Sequence, residues 1–578
     1  MQQIIRHRLV SKERLFLKVN GFVLIAAFLL SGCAGSGPVK NSKSTYRNGM
    51  VVTASPFASK VGLDILKKGG NAVDAAVAIQ FALAVVYPNA GNIGGGGFMV
   101  YRAAAGETNT LDFREKAGAA ASRDMYLDQS GAPIVDKSLY GPLASGIPGS
   151  VAGMVAAHQK YGKLPWAKLV EPAILLARKG FPLSAQQANE LNGLAAQLQQ
   201  LNPDGTALLK TGKWAPQDLL IQEELAGTLE QIRDHGKAGF YEGKVADQLI
   251  AEMKRGGGIL TKSDLQQYEA VWRKAITGAY KQYQIITMPP PSSGGIALIQ
   301  LLKSVEPYPL KRWGYQQDST VQLMVEAERR VYADRATHLG DPDFYQVPTQ
   351  GLMADQYVKD RMSSFNWSKA SLSSAVKAGE PKGKEHEETT HFSIVDQAGN
   401  AVSVTTTLNG SYGAVVLVKG AGFLLNNEMD DFSVKPGAPN MYGLIGGEAN
   451  AIAPGKRMLS SMTPCILEKD GKLFMVVGTP GGSTIITSVF QTILNVVEFD
   501  QNMQQAVSNK RFHHQWLPDL VYAEKGAIDS LTRLKLESKG YKIEPRGPMG
   551  RVDAILKTKD GSYQGGADPR GDDQWLGW

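Results

Sequence analysis

Cysteine is almost missing from this chain. Its 578 residues hold two, Cys33 and Cys465, so no disulfide framework staples the fold. Histidine is scarce too, at eight. A zinc set could be drawn from His386, His391, His513 and His514, but neither an HExxH spacing nor a cysteine pair goes with them, and the reading is no metal and no cofactor. There is no Gly-x-Ser-x-Gly turn of the kind that exposes a serine nucleophile. The glycine run Gly94–Gly97 lacks the Gly-x-Gly-x-x-Gly spacing and enters a strand rather than a helix, which argues against a nucleotide site. No Lys/Arg stripe alternates with aromatics, so nucleic acid is not an expected partner. No fixed-period repeat is present. What remains is an ordinary globular composition, 43% apolar and 20% charged, long enough for one large core or two or three domains.

The formal charge of +8 owes much to the first twenty residues. These carry Arg6, Arg8, Lys12, Arg14 and Lys18 against Glu13, and the apolar run Phe22–Leu30 follows. A basic segment before a short apolar one reads as a signal peptide, since the run is short for a membrane span. It ends in Leu30-Ser31-Gly32-Cys33, which resembles the lipobox of bacterial lipoproteins. The expectation is a signal peptide over 1–32, a lipid on Cys33 and a tether over 33–45. Ala34 after the cysteine implies, by the same resemblance, the outer membrane of a Gram-negative bacterium, facing the periplasm. Acylated Cys33 would leave Cys465 alone, and its strand-like surroundings suit a small buried hydrophobe.

Helical patterns cover Ser59–Lys68 and the stretch from Val73, with a Gly69-Gly70-Asn71 break between them. They dominate 150–275 and return after the Pro289–Gly295 turn. Residues 365–388 are linker-like, rich in Ser, Lys, Glu and Gly without apolar period. The texture then changes. His391–Val395 and Ala401–Thr407 flank the turn signal Asp396–Asn400, and Cys465–Leu467 and Leu473–Val477 flank Lys469–Lys472. Antiparallel hairpins with apolar helices predict two stacked sheets between helical layers, an α+β fold.

The abrupt switch from linker to strand falls at Glu388-Thr389-Thr390. A threonine there has two uses. Its hydroxyl can attack the peptide bond before it, and once that bond is cut its α-amine can serve as base for the same hydroxyl. That amine titrates near pH 8, close to where a base working at neutral pH should sit. A Thr pair opening an ordinary strand is the plainer reading. Pro480-Gly481-Gly482-Ser483, before a helix, could expose backbone N–H groups to an oxyanion, or be only a tight turn. Arg114 could clamp a carboxylate or pair with Glu115 or another acid. The acidic run Asn426–Asp431 could receive an ammonium or be a solvated turn, and Ser460-Ser461 could hold a second carboxylate or merely cap. Together the set suits a ligand bearing both charges, an α-amino acid head group.

From about residue 45 onward the chain resembles the γ-glutamyltranspeptidases. The matching segments are Gly69–Ala76, Asn92–Met99, Asp112–Glu115, Thr389–Ser393, Leu424–Phe432, Leu459–Pro464 and Pro480–Ser483. The resemblance implies the N-terminal-nucleophile hydrolase fold, a four-layer αββα sandwich. It implies cleavage between Glu388 and Thr389 into a large subunit, 46–388 behind its tether, and a small one, 389–578, that stay together as a heterodimer. By the same resemblance Thr389 is the nucleophile, Thr407 assists it, and Gly481 and Gly482 supply oxyanion N–H groups. Arg114, Ser460 and Ser461 take the glutamyl α-carboxylate, while Asn409, Glu428 and Asp431 take its α-amino end. Pro439–Gly443 is similar to the family's lid loop, with Tyr442 as gate. The implied partners are glutathione and other γ-glutamyl compounds as donors, and water, amino acids or dipeptides as acceptors. A glutaryl (cephalosporin) acylase, a poly-γ-glutamate enzyme and a non-catalytic envelope lipoprotein are the competing readings.

Overall fold

A computed structural model describes residues 45–379, 390–446 and 448–578. The signal segment, Cys33, His386, Glu388 and Thr389 lie outside the described residues. Two antiparallel sheets form the centre. The first has seven strands in the order Gln574–Gly577, Met50–Thr53, Thr390–Val395, Ala401–Thr407, Gly96–Arg102, Thr108–Asp112 and Val271–Arg273. The second has six, in the order Tyr563–Gly566, Asp553–Lys557, Lys472–Gly478, Cys465–Lys469, Tyr283–Thr287 and Ile276–Tyr280.

Alternation along the strands divides their side chains between layers. Met50, Val52, Phe98, Val100 and Val395 of the first sheet meet Ile286, Ile466, Val476 and Ile555 of the second in one apolar cluster. Their sequence neighbours Val51, Met99 and Ile394 point the other way, with Leu111 and Phe392, into a cluster with the Ala72–Val86 helix. Cys465, Leu467, Met475 and Val477 turn outward from the second sheet, against the Gly294–Val305, Asp318–His338 and Thr484–Val497 helices. Helix, sheet, sheet, helix is the αββα order of the N-terminal-nucleophile hydrolase fold.

The Ala72–Val86 helix shows why the sequence folds this way. All fifteen of its residues are buried and thirteen are apolar, so it is a core helix. Its start is fixed by a capping box in which the Asn71 side chain accepts from the Val73 and Asp74 N–H groups and Asp74 accepts from Asn71 N–H. A cap of this kind contributes about 1 kcal/mol.

The Thr390–Val395 strand sits inside the first sheet, paired on both sides. Its inward residues His391 and Ser393 are polar, so a seam of hydrogen bonds replaces apolar contact between the sheets at this end. Ser393 Oγ donates to Asp553 O of the second sheet at 3.0 Å. It therefore accepts from His391 Nε2–H at 3.0 Å. That leaves Nδ1 of His391 to accept from Thr405 Oγ1 at 2.9 Å. Burial holds His391 down to about 3, so the ring is neutral. Gly478 makes the room, since a Cβ there would lie 2.4 Å from the ring.

Candidate active site

Arg114 follows the Thr108–Asp112 strand, two residues past its end rather than within it. It is completely buried. Its backbone N–H donates to Asp112 Oδ1 at 3.0 Å, and its Nε donates to Met458 O at 3.2 Å. These bonds fix the fork, whose Nη1 donates to Glu428 and Nη2 to Asp431. Both acids come from the short Glu428–Asp431 turn of 3₁₀ helix, which places them on one side. A third acid, Glu115, stands 3.6 Å from Arg114 Nη1.

Three buried carboxyls thus face one guanidinium. Burial raises Glu428 and Asp431 well above the ordinary carboxylate range, against the pull of Arg114. Burial also pushes Glu115 up to about 7. Glu115 is close enough to Glu428 for the two to share a proton. Asp431 Oδ1 receives no hydrogen bond from the described residues, and Glu428 Oε2 none apart from a proton shared with Glu115. Fully buried acceptors without a donor are rare and call for a reason. A cationic ligand group supplies one. Its carboxylate would then compete for Arg114, so the pocket can exchange its internal ion pairs for those of a zwitterion.

The other expected head-group residues gather around this cluster. Leu459 O accepts from Arg114 Nη2 at 3.3 Å, and Ser460 and Ser461 come next, both fully buried. The Pro289–Gly294 turn holds the pair. Ser460 N–H donates to Pro291 O at 2.9 Å, and Ser460 O accepts from Ser293 N–H at 2.7 Å. Ser461 Oγ accepts from Arg335, on the buried Asp318–His338 helix.

Asn409 has φ of +70°, a left-handed conformation that Asn tolerates better than most residues. Thr407 Oγ1 holds the turn by accepting from Asn409 N–H at 2.7 Å. The Asn409 side chain donates to Asn427 O at 2.9 Å and accepts from Tyr442 Oη at 3.1 Å. Tyr442 therefore latches the 439–443 loop onto the residue that follows the Ala401–Thr407 strand. The loop is closed on itself by Asn440 N–H to Leu444 O at 3.0 Å, and its base is held by Met441 N–H to Asp430 Oδ2 at 3.3 Å.

Pro480-Gly481-Gly482 joins the Lys472–Gly478 strand to the Thr484–Val497 helix. Gly481 has φ of +138° and Gly482 of +57°. A Cβ on Gly481 would sit 2.6 Å from Thr484 Oγ1, so only glycine fits. The N–H groups of both glycines donate to no backbone carbonyl among the described residues, which leaves two donors at a helix start available to an anionic oxygen. Tyr332 of the buried helix donates to Ser483 O behind them.

Thr390, the residue after Thr389, is buried with Oγ1 unpartnered among the described residues. Pairing puts Thr406 opposite Thr390, so Thr407 and Asn409 stand at the same end of the sheet as the Thr390 terminus of its strand. His513 and His514 are buried and held down to about 3 and 4 by burial. Among the described residues no group of three His, Cys, Asp or Glu is placed to hold a metal.

The γ-glutamyltranspeptidase family model matches residues 58–578. The chain belongs to the γ-glutamyltranspeptidase family. It is accordingly an enzyme. The glutathione hydrolase proenzyme of Escherichia coli K12 is 47% identical over 526 residues, 91% of this chain and 90% of that protein. A crystal structure of Helicobacter pylori γ-glutamyltranspeptidase is 43% identical with a TM-score of 0.57, covering 59% of this chain and 97% of that one. The fold is shared more widely. The crystal structure of a cephalosporin acylase from Bacillus halodurans superimposes with a TM-score of 0.83 at 25% identity, over 95% of this chain and 99% of that one.

Glu115 is a member of this buried cluster whose part sequence reading missed. It lies within the Asp112–Glu115 motif, but reads there only as a candidate partner for Arg114. Tyr332 and Arg335 were also missed, because they sit in a helix whose pattern gives no sign of a pocket.

Proposed function

We propose that this protein is a γ-glutamyltransferase and glutathione hydrolase whose nucleophile is Thr389. The observation that carries the reading is the buried Arg114 fork, with Glu428 on one Nη and Asp431 on the other and a free oxygen left on Asp431. It offers a cation to an α-carboxylate and anions to an α-ammonium, the two charges every γ-glutamyl donor carries at one end.

Thr389 Oγ first attacks the carbonyl of Glu388. The resulting ester is hydrolysed, leaving a Glu388 carboxylate and a free α-amine on Thr389. In turnover that amine takes the Thr389 hydroxyl proton as Oγ attacks the γ-amide carbon. The Gly481 and Gly482 N–H groups hold the oxyanion, and the proton passes to the leaving amine, such as cysteinylglycine. Water, an amino acid or a dipeptide then takes the γ-glutamyl group from the ester and restores the Thr389 hydroxyl. Tyr442 and Asn409 close the site during the reaction. The extent of the Helicobacter pylori chain, 59% of this one, supports a large fragment ending near Glu388, as does the word proenzyme in the name of the Escherichia coli relative.

The test is a gel of purified protein with N-terminal sequencing of the smaller band, beside turnover of γ-glutamyl-p-nitroanilide. Wild type is expected to give two bands, the smaller beginning at Thr389, and to release p-nitroaniline. Thr389→Ala is expected to stay whole and inactive, and cleavage of that variant at Glu388 would refute the mechanism. A glutaryl amide has no ammonium for Glu428 and Asp431 and is expected to be a poor substrate.

The leader and Cys33 support a lipid-anchored protein of the cell envelope, at the outer membrane facing the periplasm. Cys33→Ser is expected to move the protein to the soluble fraction, and unchanged membrane retention would exclude the anchor.

A further inference from the structure

The donors at Gly481 and Gly482 are useful only if they point one way before substrate arrives. A trans peptide is planar, and its C=O and N–H point in opposite directions. Whatever holds the carbonyl of one residue therefore aims the N–H of the next. Thr479 Oγ1 donates to Pro480 O at 2.7 Å, and so sets the plane that contains Gly481 N–H. Thr484 Oγ1 donates to Gly481 O at 2.6 Å, and so sets the plane that contains Gly482 N–H.

The two threonines are not equally supported. Gly481 O also accepts from Thr484 N–H at 3.0 Å, so its plane has a second anchor. Pro480 O has only the Thr479 hydroxyl among the described donors. Thr479 is itself held, because Arg551 N–H donates to its Oγ1 at 2.8 Å. Arg551 is tied down in turn by Asp573 Oδ2, 2.9 Å from its Nε. Gly550 packs between, where a Cβ would lie 2.8 Å from Thr479 Oγ1 and 3.0 Å from Ser488 Oγ.

We propose that Thr479 and Thr484 are positioning residues, each aiming one of the two oxyanion N–H groups through the carbonyl on the far side of its peptide. Neither hydroxyl needs to touch substrate. The inference rests on the proposed acyl-transfer reading, in which Gly481 and Gly482 face the oxyanion. Because the oxyanion forms only as the amide is attacked, loss of aim should slow the chemical step and leave ground-state binding alone.

The experiment compares Thr479→Val, Thr479→Ser, Thr484→Val and Thr484→Ser on γ-glutamyl-p-nitroanilide, with rates normalised to the cleaved small fragment on a gel. Thr479→Val keeps the shape and removes the hydroxyl. It is expected to lower kcat by roughly 10- to 100-fold, somewhat less than outright loss of an oxyanion donor, with KM within about two-fold of wild type. Thr479→Ser is expected to restore most of that kcat. Thr484→Val is expected to lose less, roughly 3- to 10-fold, since the Thr484 N–H remains. A Thr479→Val kcat within two-fold of wild type, a loss matched by KM, or no recovery with serine would overturn the proposal. If Thr479→Val does not fold, the Thr484 pair decides: an unchanged kcat in Thr484→Val overturns it, and a loss recovered by serine supports it. Wild type that fails to turn over the substrate would refute the acyl-transfer reading itself, whereas active wild type with indifferent variants refutes only the positioning role.

Discussion

The two ends of the proposed site are built from opposite materials. The head-group end is ionic: one guanidinium and three carboxyls, all buried, with two of the acids on the guanidinium fork. The oxyanion end presents neutral dipoles: two peptide planes, two threonine hydroxyls and a nearby polar seam whose histidine stays uncharged, with the Arg551–Asp573 pair set behind them. The difference follows from when each end acts. The head group is charged before and after reaction, so permanent charges can recognise it. The oxyanion exists only in passing, and fixed dipoles stabilise it without binding the ground state. Damage at the ionic end should therefore spread over binding and turnover, and damage at the neutral end should appear in turnover alone.

Arg114→Ala is the most severe way to test this contrast. It leaves Glu428 and Asp431 buried without their cation, a loss of about 3–5 kcal/mol for a broken buried pair. We expect kcat/KM for γ-glutamyl-p-nitroanilide to fall by about 10³, and near-wild-type kinetics would remove Arg114 from the pocket. Asp431→Asn keeps the shape and removes the charge, and steady-state kinetics are expected to show a loss of roughly 10², mostly in KM. Glu428→Gln should be milder. Glu115 stands 3.6 Å from the same Arg114 Nη1, so a carboxyl remains beside the fork when Glu428 is replaced by glutamine. A KM rise of only a few-fold in steady-state kinetics would fit, and a loss as large as that of Asp431→Asn would not.

His391 sharpens the contrast from the neutral side. Its folded value of about 3 lies below the ordinary 6.5, so its contribution to stability is fully present above pH 6.5 and is lost as pH falls toward 3. The stability gap between wild type and His391→Gln is expected to hold steady above pH 6.5 and narrow by about 1.4 kcal/mol per pH unit below it. Urea titrations at pH 8 and pH 5.5 measure this, and a gap that widens in acid would contradict a neutral ring.

Much of the frame is legible locally. The alternation of His391–Val395 and Ala401–Thr407, the turn between them and the glycine pair before an apolar helix each declare themselves within a dozen residues. The Asn71 cap and the break at Gly69-Gly70 do the same for the first helices. The ionic end is different in kind. Arg114 meets Glu428 and Asp431 across 314 and 317 residues, and no periodicity encodes a contact that distant. The residue types alone suggest a pocket for a zwitterion, each with a plainer alternative, and only the matching motifs choose between them. Glu115 escaped because an acid beside an arginine normally explains itself as a local partner. Thr479 and Thr484 escaped because their work is on backbone carbonyls, and a hydroxyl near a turn looks the same whether or not the turn faces a reaction. The strand order was illegible as well, since pairing Met50–Thr53 with Gln574–Gly577 joins the two ends of the described chain.

That strand order carries one more implication. On the proposed cut, the first sheet reads small, large, small, small, large, large, large across its seven strands. Met50–Thr53 of one fragment is wedged between Gln574–Gly577 and Thr390–Val395 of the other. Two polypeptides woven in this way have no seam along which to part. Severing the backbone would create a new chain end without creating a separable subunit, and either piece could leave only by tearing the sheet from which the other is made.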